Sequence, residues 1–150
     1  MGTRSLTFVY SESVNGKRAE PIINMYRQFD GYPSGHGAEL SEFLSGGKIV
    51  NGLRLGREGK FFNGMGDLAA QLVANFKKES GGFYLYPVTA KDCGQDYEYH
   101  IYNIDGELKI EVYYCGCNIF GMSGDPEDVK FVFNGSLPEF VDFCNVAETV

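Results

Sequence analysis

The chain has 150 residues, the size of one ordinary domain, and its formal charge of −7 argues against non-specific binding to nucleic acid polymers or anionic membranes. Hydrophobic residues make up 43% and charged residues 22%, so we expect one globular domain over residues 1–150. No segment is apolar enough to span a membrane, and the N-terminus lacks a signal-peptide pattern, so the sequence predicts a cytoplasmic protein.

The first part of the chain is predicted to form a hairpin that leads into a short helix. Alternating side chains indicate strands over residues 5–11 and 19–26, and Asn15-Gly16 is a strong turn signal between them. A polar, glycine-rich stretch over residues 27–37 then enters a helix that ends at Gly46-Gly47. We expect residues 48–62 to be irregular.

The clearest helix follows Asn63, because apolar residues recur at the spacing of a core-facing stripe. The stripe consists of Met65, Leu68, Ala69, Leu72, Val73 and Phe76. Asn63 is expected to cap the helix and Gly81-Gly82 to end it, and a strand is predicted over residues 83–86.

A second hairpin is predicted over residues 97–114, with its turn at Asp105-Gly106. A two-residue turn fixes the register and gives one apolar face and one mixed face. The expected pairs are Ile101 with Ile110, Tyr99 with Val112, His100 with Glu111, and Tyr102 with Lys109.

The chain is expected to finish with a loop over residues 115–129, a short strand over 131–133 and a helix. Ser136 and Glu139 form a capping box at the start of that helix, and Phe140, Val141 and Cys144 supply its buried side. This order of elements predicts an α+β fold, an antiparallel sheet built from hairpins with two or three helices packed on one face.

The four cysteines are expected to be reduced thiols with no metal. Cys115 and Cys117 are separated by one residue, which is too tight for the usual zinc spacing, and Cys93 and Cys144 form no knuckle with them. The sequence predicts neither a metal site nor a cofactor.

The charge distribution places the candidate ligand site in the first part of the chain. Residues 1–60 hold all five arginines and eight basic residues against six acidic ones, whereas residues 61–150 hold five against fourteen. The loop at residues 34–37 runs into a helix, where free N–H groups can bind an anion. The candidate ligand-binding residues are Arg4, Arg27, Tyr32, Ser34, Gly35, His36 and Gly37.

A second glycine loop, residues 63–66, also leads into a helix, but Asp67 would repel a phosphate there. The alternative for both loops is that their glycines only make turns. His36 is the candidate for acid–base chemistry, oriented by Asp30, although a loop histidine is more often a hydrogen-bonding residue. His100 is explained by a surface pair with Glu111.

Four stretches of the chain carry a resemblance: MGTRSLT at residues 1–7, MYRQFDGYPSGHG at 25–37, NGMG at 63–66 with LAAQL at 68–72, and GGFYL at 81–85. In these stretches the chain resembles a group of small proteins encoded by tailed phages and scattered bacteria. The resemblance implies a phage or mobile-element origin. By analogy with other small phage proteins, we expect an accessory or anti-defence role, for example as a sponge that captures a nucleotide second messenger.

We expect a non-catalytic binding protein for a small anionic, nucleotide-like ligand. The alternatives are a small hydrolase or transferase that uses His36, and an adaptor that acts on a host protein. A homo-oligomer is expected, since Tyr10, Tyr102 and Tyr113 suit a contact surface on the sheet face without helices.

Overall fold

A computed structural model describes residues 2–50, 59–115 and 130–147 of the chain. Within them lie eight strands and three helices, which confirms the α+β class. The strands are β1 Ser5–Tyr10, β2 Pro21–Arg27, β3 Lys48–Val50, β4 Phe61–Asn63, β5 Phe83–Tyr86, β6 Tyr97–Ile104, β7 Glu107–Tyr114 and β8 Lys130–Ser136. The helices are α1 Ala38–Leu44, which continues a π-helical turn at Pro33–Gly37, α2 Gly64–Phe76 and α3 Leu137–Ala147.

Six strands form the main sheet in the order β5-β2-β1-β6-β7-β8. Both predicted hairpins are present, and their turns use positive φ angles, 53° and 72° at Asn15 and Gly16, and 52° and 85° at Asp105 and Gly106. The predicted register of the second hairpin is confirmed at all four residue pairs.

Two strand pairings differ from the sequence prediction. β1 and β6 run parallel, so the main sheet is mostly but not wholly antiparallel. Because β2 occupies one edge of β1, the second hairpin adds to the other edge, in the direction that the long connection through α1 and α2 allows. Residues 48–62 were expected to be irregular. Instead, β3 at the start of this segment pairs in parallel with β4 at its end.

The helices begin and end through specific contacts. α2 buries its predicted stripe except for the half-buried Val73, and it ends at Phe76, earlier than the predicted stop at Gly81-Gly82. Asn63 makes no side-chain cap; its N–H donates instead to the Asp67 carboxylate at 2.8 Å.

The capping box of α3 is confirmed. The Ser136 N–H donates to Glu139 Oε1 at 3.0 Å, and the Glu139 N–H donates to Ser136 Oγ at 3.4 Å. None of the helices in residues 2–50, 59–115 and 130–147 is both long and apolar enough to cross a membrane.

The main core lies on one face of the sheet, where all three helices pack, as predicted. It joins helix residues such as Leu40, Leu72 and Phe140 to strand residues such as Met25 and Ile110. A smaller apolar cluster of Leu6, Phe8 and Tyr26 lies on the other face. We call these the helix face and the second face of the sheet.

Candidate functional site

Arg27, at the end of β2, is fixed by hydrogen bonds on the helix face. Its Nε donates to Phe29 O at 2.6 Å, and one Nη donates to His36 Nδ1 at 3.1 Å. The same Nη donates to the Glu39 carboxylate, and Cζ lies 5.0 Å from the centroid of the Phe83 ring. The side chain of Arg27 is 10% exposed and that of Glu39 is 51% exposed, so the arginine is the fixed partner of this ion pair.

His36 is fully buried between the rings of Phe76 and Tyr99. Because Arg27 can only donate, Nδ1 of His36 accepts, and Nε2 carries the proton that it donates to Thr7 Oγ1 at 2.7 Å. Burial, helped by the charge of Arg27, lowers the pKa of His36 to about 3, which keeps the imidazole neutral at pH 7. An imidazole with both nitrogens bonded inside the core orients Arg27 and offers no ring nitrogen to a substrate.

The Asp30 carboxylate, expected to orient His36, instead accepts a hydrogen bond from the Tyr32 hydroxyl at 3.2 Å. The Asp30 carbonyl accepts the backbone N–H of His36 at 2.8 Å. The N–H groups of Gly35 and Gly37 both donate to Tyr32 O, at 2.9 and 3.4 Å. Three of the N–H groups expected to bind an anion are therefore used inside the π-helical turn, while Ser34 lies half-buried in the same turn.

Arg4 and Arg27 do not converge. Ser5 pairs with Arg27, so side-chain alternation places Arg4 toward the second face, where its charge partly offsets the rise that burial causes in the pKa of Tyr26. Arg4 and Tyr32 do line one cleft of about 300 Å³ at the end of the sheet. The predicted ligand residues thus divide between this cleft and the surroundings of Arg27. Among them, Arg27 and His36 are the pair whose side chains hydrogen-bond to each other.

The second glycine loop carries its own anions. Glu12 Oε1 accepts the N–H of Met65 at 2.6 Å in the first turn of α2, and Asp67 accepts the N–H of Asn63. Both carboxylates occupy the place where an external anion would bind, so this helix start is already neutralised.

A cleft of about 430 Å³ opens beside Arg27 between α1, α2 and β5, and we call it the helix-side cleft. Its volume is within the usual range for small-molecule sites. It has three aromatic rings, two cations, two carboxylates and an amide. The lining residues are Phe43, Phe76, Phe83, Arg27, Lys60, Glu39, Glu42 and Asn75.

A second polar network lies on the second face and was not foreseen from the sequence. The Tyr10 hydroxyl lies 2.6 Å from His100 Nδ1, and His100 Nε2 lies 3.1 Å from Glu98 Oε1. Burial alone would raise the pKa of Glu98, but hydrogen bonds from His100 and Gln95 outweigh it and lower the pKa. His100 faces Glu111 in the register as predicted, but its ring bonds Tyr10 and Glu98 instead.

Glu111 forms the centre of a further group beside this network. It accepts hydrogen bonds from the hydroxyls of Tyr102 and Tyr113, each at 2.8 Å, and from Arg18 at 3.2 Å. The guanidinium of Arg18 also lies 4.9 Å from the ring centroid of Tyr10 and 4.7 Å from that of Tyr102. The tyrosines expected at an oligomer contact therefore share one face, where Tyr10 and Tyr102 flank Arg18 and Tyr113 shares its carboxylate partner.

No group of three or more His, Cys, Asp or Glu side chains that could hold a metal occurs in residues 2–50, 59–115 and 130–147. Cys93, Cys115 and Cys144 are not joined in disulfides among the described residues, while Cys117 and most of the predicted 115–129 loop lie outside those residues. No known protein-family model, curated protein or solved structure matches the chain. Function is therefore inferred from the geometry of the hydrogen-bonded groups around Arg27 on the helix face and around Glu111 on the second face.

Proposed function

We propose that the chain is a non-catalytic binding protein for a small anionic, nucleotide-like ligand, held in the helix-side cleft. The observation that supports this most directly is the asymmetry of the Arg27–Glu39 pair. Arg27 is fixed from behind by Phe29 O and His36, while Glu39 reaches it from a half-exposed position on α1. A ligand anion can replace the Glu39 carboxylate without any movement of the arginine.

The rest of the cleft suits a flat molecule with a negative group. The ring centroid of Phe76 lies 5.5 Å from that of Phe83 and 6.4 Å from that of Phe43, so three aromatic side chains adjoin one another in the lining. Lys60 supplies a second cation, although its Nζ donates to Phe43 O at 2.6 Å. A planar ring can pack against these aromatic side chains while a phosphate meets Arg27, which can bond two oxygens at once.

The wider setting is also a proposal. A phage-encoded accessory or anti-defence protein that captures a nucleotide messenger needs a binding cleft and no chemistry, which agrees with a His36 that is buried and neutral.

We further propose that the chain works as a homo-oligomer, which light scattering tests against the 16.6 kDa mass of one chain.

The test combines extraction with titration. Small anions released from the purified protein are identified by mass spectrometry, and adenosine monophosphate serves as the calorimetric probe. Glu39→Gln removes the internal competitor, so affinity should rise by about tenfold, or ~1.4 kcal/mol. Arg27→Lys keeps the charge but loses the two-pronged geometry, so affinity should fall by about tenfold.

Lys109→Ala is the matched control, because Lys109 lies on β7 and does not line the cleft. Its affinity for the probe should equal that of the wild type. Equal affinities for the wild type, Glu39→Gln and Arg27→Lys would place the ligand elsewhere. A probe converted to product would exclude the non-catalytic function.

A further inference from the structure

On the second face, Arg18 occupies a corner made by two aromatic rings and a carboxylate. The rings of Tyr10 and Tyr102 stand 6.3 Å apart at 81°, so they form two perpendicular walls. The Arg18 guanidinium lies over both rings and bonds Glu111 at 3.2 Å. Aromatic faces and a carboxylate are the groups that recognise an organic cation. We call Tyr10, Tyr102 and Glu111 the second-face corner.

The corner is held in place without the help of Arg18. The Tyr10 hydroxyl is fixed by its 2.6 Å hydrogen bond to His100. The Tyr102 hydroxyl donates to one oxygen of Glu111, and the Tyr113 hydroxyl donates to the other. Each wall and the carboxylate therefore keep a hydrogen bond within the sheet if Arg18 moves away, and such preorganisation favours binding of another cation.

Arg18 is the movable member of the group. It lies in the connection between β1 and β2, next to the turn where Val14 and Lys17 pair, and not in a strand of the main sheet. Its side chain is 36% exposed, whereas that of Glu111 is 11% exposed. An exposed loop arginine can leave a fixed carboxylate at little cost, because surface ion pairs contribute little stability.

We propose that the second-face corner is a binding site for an arginine side chain of a partner protein, and that Arg18 occupies it as a tethered substitute. At the corner, the carboxylates of Glu20, Glu98 and Glu111 act on Tyr10 against the charge of Arg18, and this local excess of negative charge favours an approaching cationic partner. This site is separate from the helix-side cleft and does not depend on the function proposed for it. It gives physical content to the adaptor function that the sequence left open.

The test removes the tethered arginine and supplies a free one. N-acetyl-argininamide is titrated into Arg18→Ala and into the wild type. The NMR signals of the Tyr10 and Tyr102 rings report its binding. The variant should bind the probe with a dissociation constant of roughly millimolar, and the wild type at least about tenfold more weakly, because its own arginine competes at high effective concentration.

Two comparisons make the result specific. Arg18→Ala combined with Glu111→Gln should lose most of the binding, and N-acetyl-lysinamide should bind Arg18→Ala several-fold more weakly because an ammonium lacks the planar fork. A folded Arg18→Gln variant serves if the alanine variant does not fold. The proposal is overturned if N-acetyl-argininamide does not saturate Arg18→Ala or Arg18→Gln. It is also overturned if adding Glu111→Gln leaves the affinity for N-acetyl-argininamide unchanged.

Discussion

The two arginine–glutamate pairs found among the described residues have opposite patterns of exposure. On the helix face, Arg27 is 10% exposed and its partner Glu39 is 51% exposed. On the second face, Arg18 is 36% exposed and its partner Glu111 is 11% exposed. Both guanidinium groups also lie about 5 Å from aromatic rings, 5.0 Å for Arg27 and 4.7 and 4.9 Å for Arg18.

The difference identifies which charge each site would offer to a ligand. A buried charge stays because its partners in the core have no other way to be satisfied, whereas an exposed partner exchanges readily with water. The helix-side cleft therefore keeps a cation and can exchange an anion. The second-face corner keeps an anion and can exchange a cation.

The largest effect that this comparison predicts is a difference in the free energy of unfolding between variants of the two arginines. Arg27→Ala leaves Phe29 O and His36 Nδ1 without their donor inside the helix layer, so the free energy of unfolding should fall by about 3 kcal/mol. Arg18→Ala should cost about 1 kcal/mol or less, because Glu111 keeps its two tyrosine hydroxyls. Urea denaturation of both variants measures the difference.

Glu39→Gln is the control for the helix face, and its stability should be close to that of the wild type. Equal losses for Arg27→Ala and Arg18→Ala would show that the two arginines are held alike. The assignment of a fixed cation to one face and a movable cation to the other would then be wrong.

Much of the fold could be predicted because its signals are local. Asn15-Gly16 and Asp105-Gly106 adopt the positive φ angles that their turns require, and the second of these turns set a register that the structure confirms. The parallel pairing of β1 with β6 could not be predicted in the same way. It depends on how a hairpin from the end of the chain joins one from the beginning, and no local pattern records that choice.

The site was less predictable than the fold. The predicted first hairpin grouped Arg4 with Arg27, but alternation along β1 and β2 sends them to opposite faces. The glycines of residues 34–37 suggested free N–H groups, yet the π-helical turn uses those of Gly35 and Gly37 internally. The second-face corner joins Tyr10 to Tyr102 and Glu111 from distant positions. Its visible signal in the sequence was the mixed face of the second hairpin, where Tyr102 and Glu111 alternate with apolar residues.

A smaller effect, on the pH dependence of stability, would sharpen the account of why Arg27 is fixed. The pKa of His36 is about 3 in the folded protein, against an ordinary value of 6.5 that applies when the chain unfolds. Between these values the unfolded chain binds a proton that the folded chain does not, so stability falls as the pH falls. From pH 7 to pH 5, the titration of His36 should lower the free energy of unfolding by about 2 kcal/mol.

His36→Asn, whose amide oxygen can still accept from Arg27, should lose that part of the pH dependence in urea denaturation at both pH values. The lowered carboxyl pKa values of Glu98 and Glu111 act mainly below their ordinary value of 4.5, outside this interval. An unchanged pH dependence in His36→Asn would mean that His36 is not the buried, neutral acceptor that holds Arg27 in place.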